Sequence, residues 1–363
     1  MPGYRDIKGR FPQSASGFAL VLILWVVALL SILVLQFAGD MRLETRVCKN
    51  HLDDARAYYL ARAGCELSLA KLLSRLRFES QQQATEETQA TFDMWDIQGN
   101  WNTFQLGGGT VAVRIVPESG KIDVNYAPPE LLRQAVRNSG LDEETVNTIT
   151  DSILDWKDSG NLHRTSGAND EYYLSLPQPY RAKHAMLDSV EELLLVRGVT
   201  EEILFGQEGD CAWNQAAGPA GTVARPQGSL PEEQGKLRYG LAQVFTVYNI
   251  RNRGQVNINY APLSVLMSLE GVTPEQAQRI VAQRQLREFR GSGDLAPLGM
   301  QHIFERNQRT LAFGKGSDNT FTIDVHAWYD KKGVCRKIRF VANVNLTDKK
   351  NPATVLKWTD FVG

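Results

Sequence analysis

The chain has 363 residues, enough for two domains with their own cores, and an ordinary globular composition of 43% hydrophobic and 22% charged residues. A formal net charge of -1 lacks the basic excess typical of nucleic-acid binders, although a local patch stays open. The four cysteines (Cys48, Cys65, Cys211, Cys335) form no C-x-x-C pair, so a zinc ribbon or thioredoxin-type site has no support; a Cys211–Cys335 bridge is compatible with an oxidising compartment.

Residues 1–17, MPGYRDIKGRFPQSASG, are short and net basic, the kind of end that stays in the cytoplasm. They are followed by the uncharged run Phe18–Gly39, which contains Leu22 and Trp25. As a helix that run measures about 33 Å, sufficient for a hydrocarbon core of about 30 Å. A cleaved secretory signal fits poorly, because the run is too long and Gln36-Phe37-Ala38 is a weak exit site. A plain anchor fits the length. The abrupt passage from Ser16-Gly17 to Phe18 resembles the class III signal of type IV pilins and type II secretion pseudopilins. That resemblance implies cleavage after Gly17 by a prepilin peptidase, N-methylation of Phe18, and survival of the apolar run as a filament stem. Residues 40–80 continue with helical periodicity, without Pro and with the single Gly64. Ala55, Tyr58, Tyr59, Arg62, Ala63 and Glu66 share one face, which predicts packing against a partner layer. Most pilins carry Glu at the fifth position after cleavage, where Leu22 stands; its absence resembles the minor pseudopilin proposed for the filament tip.

Residues 81–100 read as a polar linker. Thr110–Val116 alternates as a half-buried strand, Gly107-Gly108-Gly109 is its hairpin entry, and Lys121–Asn125 is a further strand. Residues 128–205 read as helices bounded by Pro and Gly, 206–235 as a long surface loop, and Leu241–Asn249 as a strand. Thr320–Leu346 holds two alternating runs around Asp330–Gly333, a hairpin. The fold class is therefore α+β: a long N-terminal helix and a small antiparallel sheet with a large inserted helical domain. The expected parts are a leader (1–17), a membrane stem (18–39), a periplasmic stem (40–80), a sheet domain (101–122 and 236–346) that includes the second repeat's helices, the insertion (123–235) and a tail (347–363).

A phrase occurs twice: KIDVNYAPPELL at Lys121–Leu132 and QVNINYAPLSVL at Gln255–Leu266, with a partial third echo at Leu195–Glu201. In each copy Asn125 or Asn259 can cap turn amides, and Pro128 or Pro262 opens a helix. Strand, helix, Gly-hydrophobic turn, helix is also how helix-hairpin-helix DNA-binding modules read, as in membrane-anchored DNA receptors. Against that reading, Thr273, Thr200 and Asp142 replace the second glycine, and Glu143, Glu144, Glu201 and Glu202 would repel phosphate. The sequence favours a packing device.

Asp155-Trp156-Lys157-Asp158, Gly167-Ala168-Asn169-Asp170, Tyr172-Tyr173, Pro179-Tyr180 and Glu192-Leu193 form a series similar to the signature of the GspK family, the minor pseudopilins called general secretion pathway protein K. The resemblance implies a pilin-like fold with a helical insertion, single-pass residence in the bacterial inner membrane with a periplasmic head, and assembly with GspI-like and GspJ-like minor pseudopilins. It also implies contact with the inner-membrane secretion platform, and Ca²⁺ bound in the helical part. Asp155, Asp158, Asn161, Asp170 and Glu171 bring hard oxygens to two adjoining loops, as Ca²⁺ requires; Asp and Asn at such places equally serve as turn caps. The five histidines show no metal spacing and no nucleophile motif occurs, so the sequence is read as a non-enzyme.

Overall fold

The computed structural model describes residues 16–80, 95–97, 99–160, 163–206, 239–249, 254–314, 319–329, 334–348 and 350–362. The chain falls into two compact units, Met1–Arg56 and Ala57–Gly363. With no Pro to break it, helix α1 runs Ser16–Ser80. In the first unit its apolar side chains, Leu20 to Phe37, are exposed.

Within the second unit a five-stranded antiparallel sheet has the order β1 (Trp101–Leu106), β2 (Gly109–Pro117), β7 (Thr320–Tyr329), β8 (Val334–Val344) and β9 (Ala353–Val362). Leu106 pairs with Gly109 around Gly107 and Gly108, whose φ values of 55° and 82° suit glycine in a two-residue hairpin. One sheet face carries Val111, Val113, Ile115, Ile323, Val325 and Phe340, and buries the α1 stripe Leu60, Ala61, Cys65 and Leu72. At Gly64 a Cβ would lie 2.7 Å from a Val111 methyl and 2.9 Å from a Val325 methyl, so helix and sheet meet most closely there.

That contact uses a different stripe from the one expected to pack against a partner layer. Tyr59, Arg62, Ala63 and Glu66 are exposed, and the sheet takes the stripe one position over, where Ala57, Ala61 and Gly64 leave room for β-branched side chains. The tail is corrected. Residues 353–362 form an edge strand on β8, with a bulge at Val341/Ala342. β1 was hidden in polar sequence, and the β7–β8 hairpin stands as expected, its turn lying outside the described residues.

The inserted material runs from Glu118 to Asn319 and includes both repeats. Its strands and helices are β3 (Ile122–Asp123), α2 (Pro129–Asn138), α3 (Glu143–Lys157), α4 (Asp170–Leu174), α5 (Glu201–Phe205), β4 (Phe245–Thr246), β5 (Val256–Asn257), α6 (Leu263–Leu266), α7 (Pro274–Leu286), α8 (Gln301–Arg306) and β6 (Leu311–Ala312). Short 3₁₀ segments stand at Val190–Leu195, Leu241–Gln243 and Ser292–Leu298. The expected strand Leu241–Asn249 thus shrinks to a turn and two residues. One core, from Ile122 through Tyr173, Leu193 and Phe245 to Ile280 and Leu311, spans both copies. The second repeat therefore belongs with the insertion and not with the sheet domain, because its apolar face has its partners there.

Candidate functional site

Three places carry the sequence expectations: the apolar span, the acidic loops and the duplicated phrase.

Gly17 and Phe18 lie in the first turn of α1; residues 1–15 are outside the described set. α1 is long and apolar enough to cross a membrane. Leu22 and Trp25 are exposed side chains on it. The one hydroxyl in the run, Ser31, donates to Val27 O at 2.8 Å and is thus satisfied within the helix.

In the acidic loops Asp155, Asp158 and Asp170 each have a protein partner. Asp155 is 5% exposed and accepts from Arg164 twice, from its N at 3.0 Å and from Nη1 at 2.6 Å. Gly167 passes so near that a Cβ would collide with Asp155 Oδ2 at 1.8 Å. Asp158 caps the end of α3 and accepts from Gly160 N at 3.1 Å. Asp170 accepts from Ala182 N at 2.9 Å. His184, at φ 51°, bridges the two loops: Nδ1 is 2.7 Å from Asp158 O and Nε2 is 3.2 Å from Asp170 Oδ1. The Asp158 carbonyl, and then the Asp170 carboxylate, hold this imidazole above its ordinary pKa. Glu171 is exposed in the first turn of α4, and Asn161 lies outside the described residues. Among the described residues no three His, Cys, Asp or Glu side chains are grouped to hold a metal. As arranged, an ion at Asp155 would have to displace Arg164.

The signature aromatics do converge. Trp156, Tyr173 and Tyr180 pack edge-on or tilted, with Trp156 5.2 Å from Tyr173 and Tyr173 5.3 Å from Tyr180. Trp156 Nε1 donates to Glu192 at 2.9 Å, and Tyr180 Oη donates to Leu195 O at 2.8 Å. Burial pushes the Tyr173 hydroxyl up to about 12. The motif thus ties α3, α4 and the 190–195 turn into one aromatic core.

The repeated phrase builds the same object twice. In copy one β3 pairs in parallel with β4; in copy two β5 pairs in parallel with β6. The third side chain of each phrase closes a local turn, Asp123 accepting from Asn125 N at 2.9 Å and Asn257 from Asn259 N at 3.0 Å. Asn125 and Asn259 reach much farther. Asn125 donates to Leu187 O at 3.0 Å and accepts from Leu187 N at 2.8 Å; Asn259 does the same to Phe289 O and N, both at 2.9 Å. The capping role expected of them passes to the residue two before, and they act as long-range clamps. Leu187…Glu192-Leu193 and Phe289…Asp294-Leu295 match, and in both an acid accepts from the backbone ahead of it, Glu192 from Asp188 N and Asp294 from Arg290 N. Each helix pair turns on a left-handed glycine, Gly140 (φ 98°) and Gly271 (φ 75°), and the next helix is capped by Asp142 or Thr273. A cation from that helix closes the phrase: Lys157 Nζ donates to Val124 O at 2.5 Å, and Arg284 Nη1 to Ala261 O at 2.6 Å. Burial pushes Lys157 down to about 8, opposed by Asp123, whose own carboxyl burial raises. The clamp partners carry one weak sequence signal, the shared apolar-x4-acid-Leu spacing of Leu187…Glu192-Leu193 and Phe289…Asp294-Leu295.

Comparison with known proteins identifies residues 114–205 with the family described as type II secretion system (T2SS), protein K, and residues 251–296 with the helix-hairpin-helix motif. The chain is 29% identical over 313 residues to the type II secretion system protein K of Pseudomonas aeruginosa, covering 82% of this chain and 80% of that one. It is 25% identical to its counterpart from Pectobacterium carotovorum, over 52% of this chain and 59% of that one. The crystal structure of the GspK-GspI-GspJ complex from enterotoxigenic Escherichia coli contains a chain that superposes with a TM-score of 0.53 at 15% identity, covering 86% of this chain and 98% of that one.

Proposed function

We infer that the chain is a minor pseudopilin of the type II secretion system protein K family, and that it acts at the tip of the secretion pseudopilus, joined to minor pseudopilins of the I and J kinds. The observation that carries this reading is α1: one unbroken helix from Ser16 to Ser80 that is uncharged over Phe18–Gly39 and buries a stripe on the sheet from Leu60 to Leu72. Such a helix serves first as an anchor in the inner membrane and then, packed among other stems, as part of a fibre. Its head then lies in the periplasm. The exposed stripe of Tyr59 and Ala63 supplies a face for neighbouring subunits. Leu22 supports the tip position, since a subunit with none above it has no amine to pair with a carboxylate there. The role is structural, in assembly and export, and the prepilin peptidase and the inner-membrane platform are its expected processing and docking partners.

The test is the intact mass of the mature chain. It is expected to begin at methylated Phe18, and Gly17→Val is expected to retain the leader and lower export to the level of a deletion strain. A mature chain that keeps Met1–Gly17 overturns the reading.

The helix-hairpin-helix match supplies a second reading, DNA binding. In the matched segment Thr273 N donates to Gln276 Oε1 and the Thr273 hydroxyl accepts from Gln276 N, so these groups are already taken. Arg284 points inward. A mobility shift is therefore expected to show no tight, salt-sensitive binding.

Calcium is proposed for the Asp155–Glu171 loops with one condition, release of Arg164 from Asp155. A melting temperature that rises with CaCl₂ and falls back with EDTA supports it; no response removes the ion from the account.

A further inference from the structure

Between the sheet face opposite α1 and the inserted helices lies a cavity of about 300 Å³. Its volume is room for about ten waters at ~30 Å³ each, at the lower end of small-molecule sites. The walls are charged, and five cations face three carboxylates.

Three of these groups belong to one cross-strand cluster: Arg114 and Arg339 share the single carboxylate Asp324, both at 2.6 Å. Two further pairs are balanced. Lys121 meets Glu118 at 2.6 Å, and Lys357 pairs with Glu191. Arg284 has no such counterpart in the wall. It is 9% exposed, its Nη1 is spent on the Ile258 and Ala261 carbonyls, and its Nε is buried without a hydrogen-bond partner. Burial pushes its pKa down to about 10, with Asp96 acting the other way from a distance, so it stays charged at neutral pH. A buried cation without a matching anion is costly to a fold and is a ready receptor for one.

We propose that this cavity binds a small doubly charged oxyanion, of the phosphate or dicarboxylate class, with one oxygen accepting from the Arg284 guanidinium and the surplus charge of the Arg114–Arg339 pair lining the same cavity. The anion neutralises what Asp324, Glu118 and Glu191 leave over, and couples the sheet to the second copy of the repeat, whose Tyr260 and Pro262 also line the cavity.

The experiment uses the full chain in detergent micelles, titrated with inorganic phosphate and with succinate against sodium chloride at matched ionic strength, and followed by calorimetry and melting temperature. Saturable heat and a raised melting temperature with either probe are expected, and the two arms decide between phosphate and carboxylate. Arg284→Met is expected to weaken binding about tenfold or more, the size of one charge-assisted hydrogen bond. Because Arg284 is buried, Lys357→Gln at the cavity mouth provides a second variant, expected to fold normally and to bind several-fold more weakly. Equal response to all three salts overturns the proposal, as does wild-type affinity in Lys357→Gln together with any folded Arg284→Met protein.

Discussion

Asn259→Ala is expected to cost the folded chain about 1.5–4.5 kcal/mol, and Asn125→Ala roughly half of that. Asn259 is 2% exposed and grips both backbone groups of Phe289, itself 1% exposed. Truncation leaves the Phe289 N–H without a partner where water does not reach, worth about 1–3 kcal/mol, and removes one of two donors from its C=O, which keeps Gly314 N at 3.1 Å, worth about 0.5–1.5 kcal/mol more. Asn125 makes the same pair with Leu187 but is only partly buried, so water can replace some of what is lost. Urea unfolding checks the ranking: the Asn259 midpoint should fall farther, at an unchanged slope. Equal and small losses would mean that the clamps are ornaments of the loop and not what holds each copy closed.

The phrase itself was legible because identical side chains recur at identical spacing, and so was the expectation that it serves packing. Its mechanism was not. A spacing of two predicts the local turn of Asp123 or Asn257, whereas Leu187 and Phe289 lie 62 and 30 residues beyond their asparagines. The β7–β8 hairpin was readable from alternation alone. β9 was not, because Lys357, Thr359 and Asp360 on an edge strand look like a solvated tail until β8 is beside them. The stem offered two periodic stripes, and periodicity cannot choose between them. The choice was made by the sheet, whose Val111 and Val325 need the small residues around Gly64. Among the acidic residues, type suggested a metal, and only the structure shows arginine, histidine and backbone amides beside Asp155 and Asp170.

The cluster at Asp324 was the least legible feature and carries the other large effect. Register places Asp324 opposite Arg114 on β2 and Arg339 on β8, a fact no single strand reveals. Asp324→Asn is expected to destabilise the head by about 3–5 kcal/mol, because it strips the shared anion from two guanidiniums and leaves a buried amide between them. The pH dependence follows from the same geometry. Burial alone would raise the Asp324 pKa, but Arg339 and Arg114 override it and hold the carboxyl well below the ordinary carboxylate range. A depressed folded-state pKa means that the stability it contributes is complete above the unfolded value near 4 and is lost as the pH falls toward the folded one. His326, on the same sheet face between Trp101 and Trp328, is pushed down to about 4, chiefly by burial. Its contribution is present above about 6.5 and fades between there and about 4 as the unfolded chain takes up the proton first. The wild-type stability curve should therefore descend in two stages, one on each side of pH 4. In Asp324→Asn the lower stage should shrink to what the less buried carboxylates such as Glu191 and Glu143 supply, while the upper one remains, and chemical denaturation at stepped pH reads both. A variant that keeps the lower stage undiminished would show that some other carboxylate, and not the one between Arg114 and Arg339, sets the acid limit of the head.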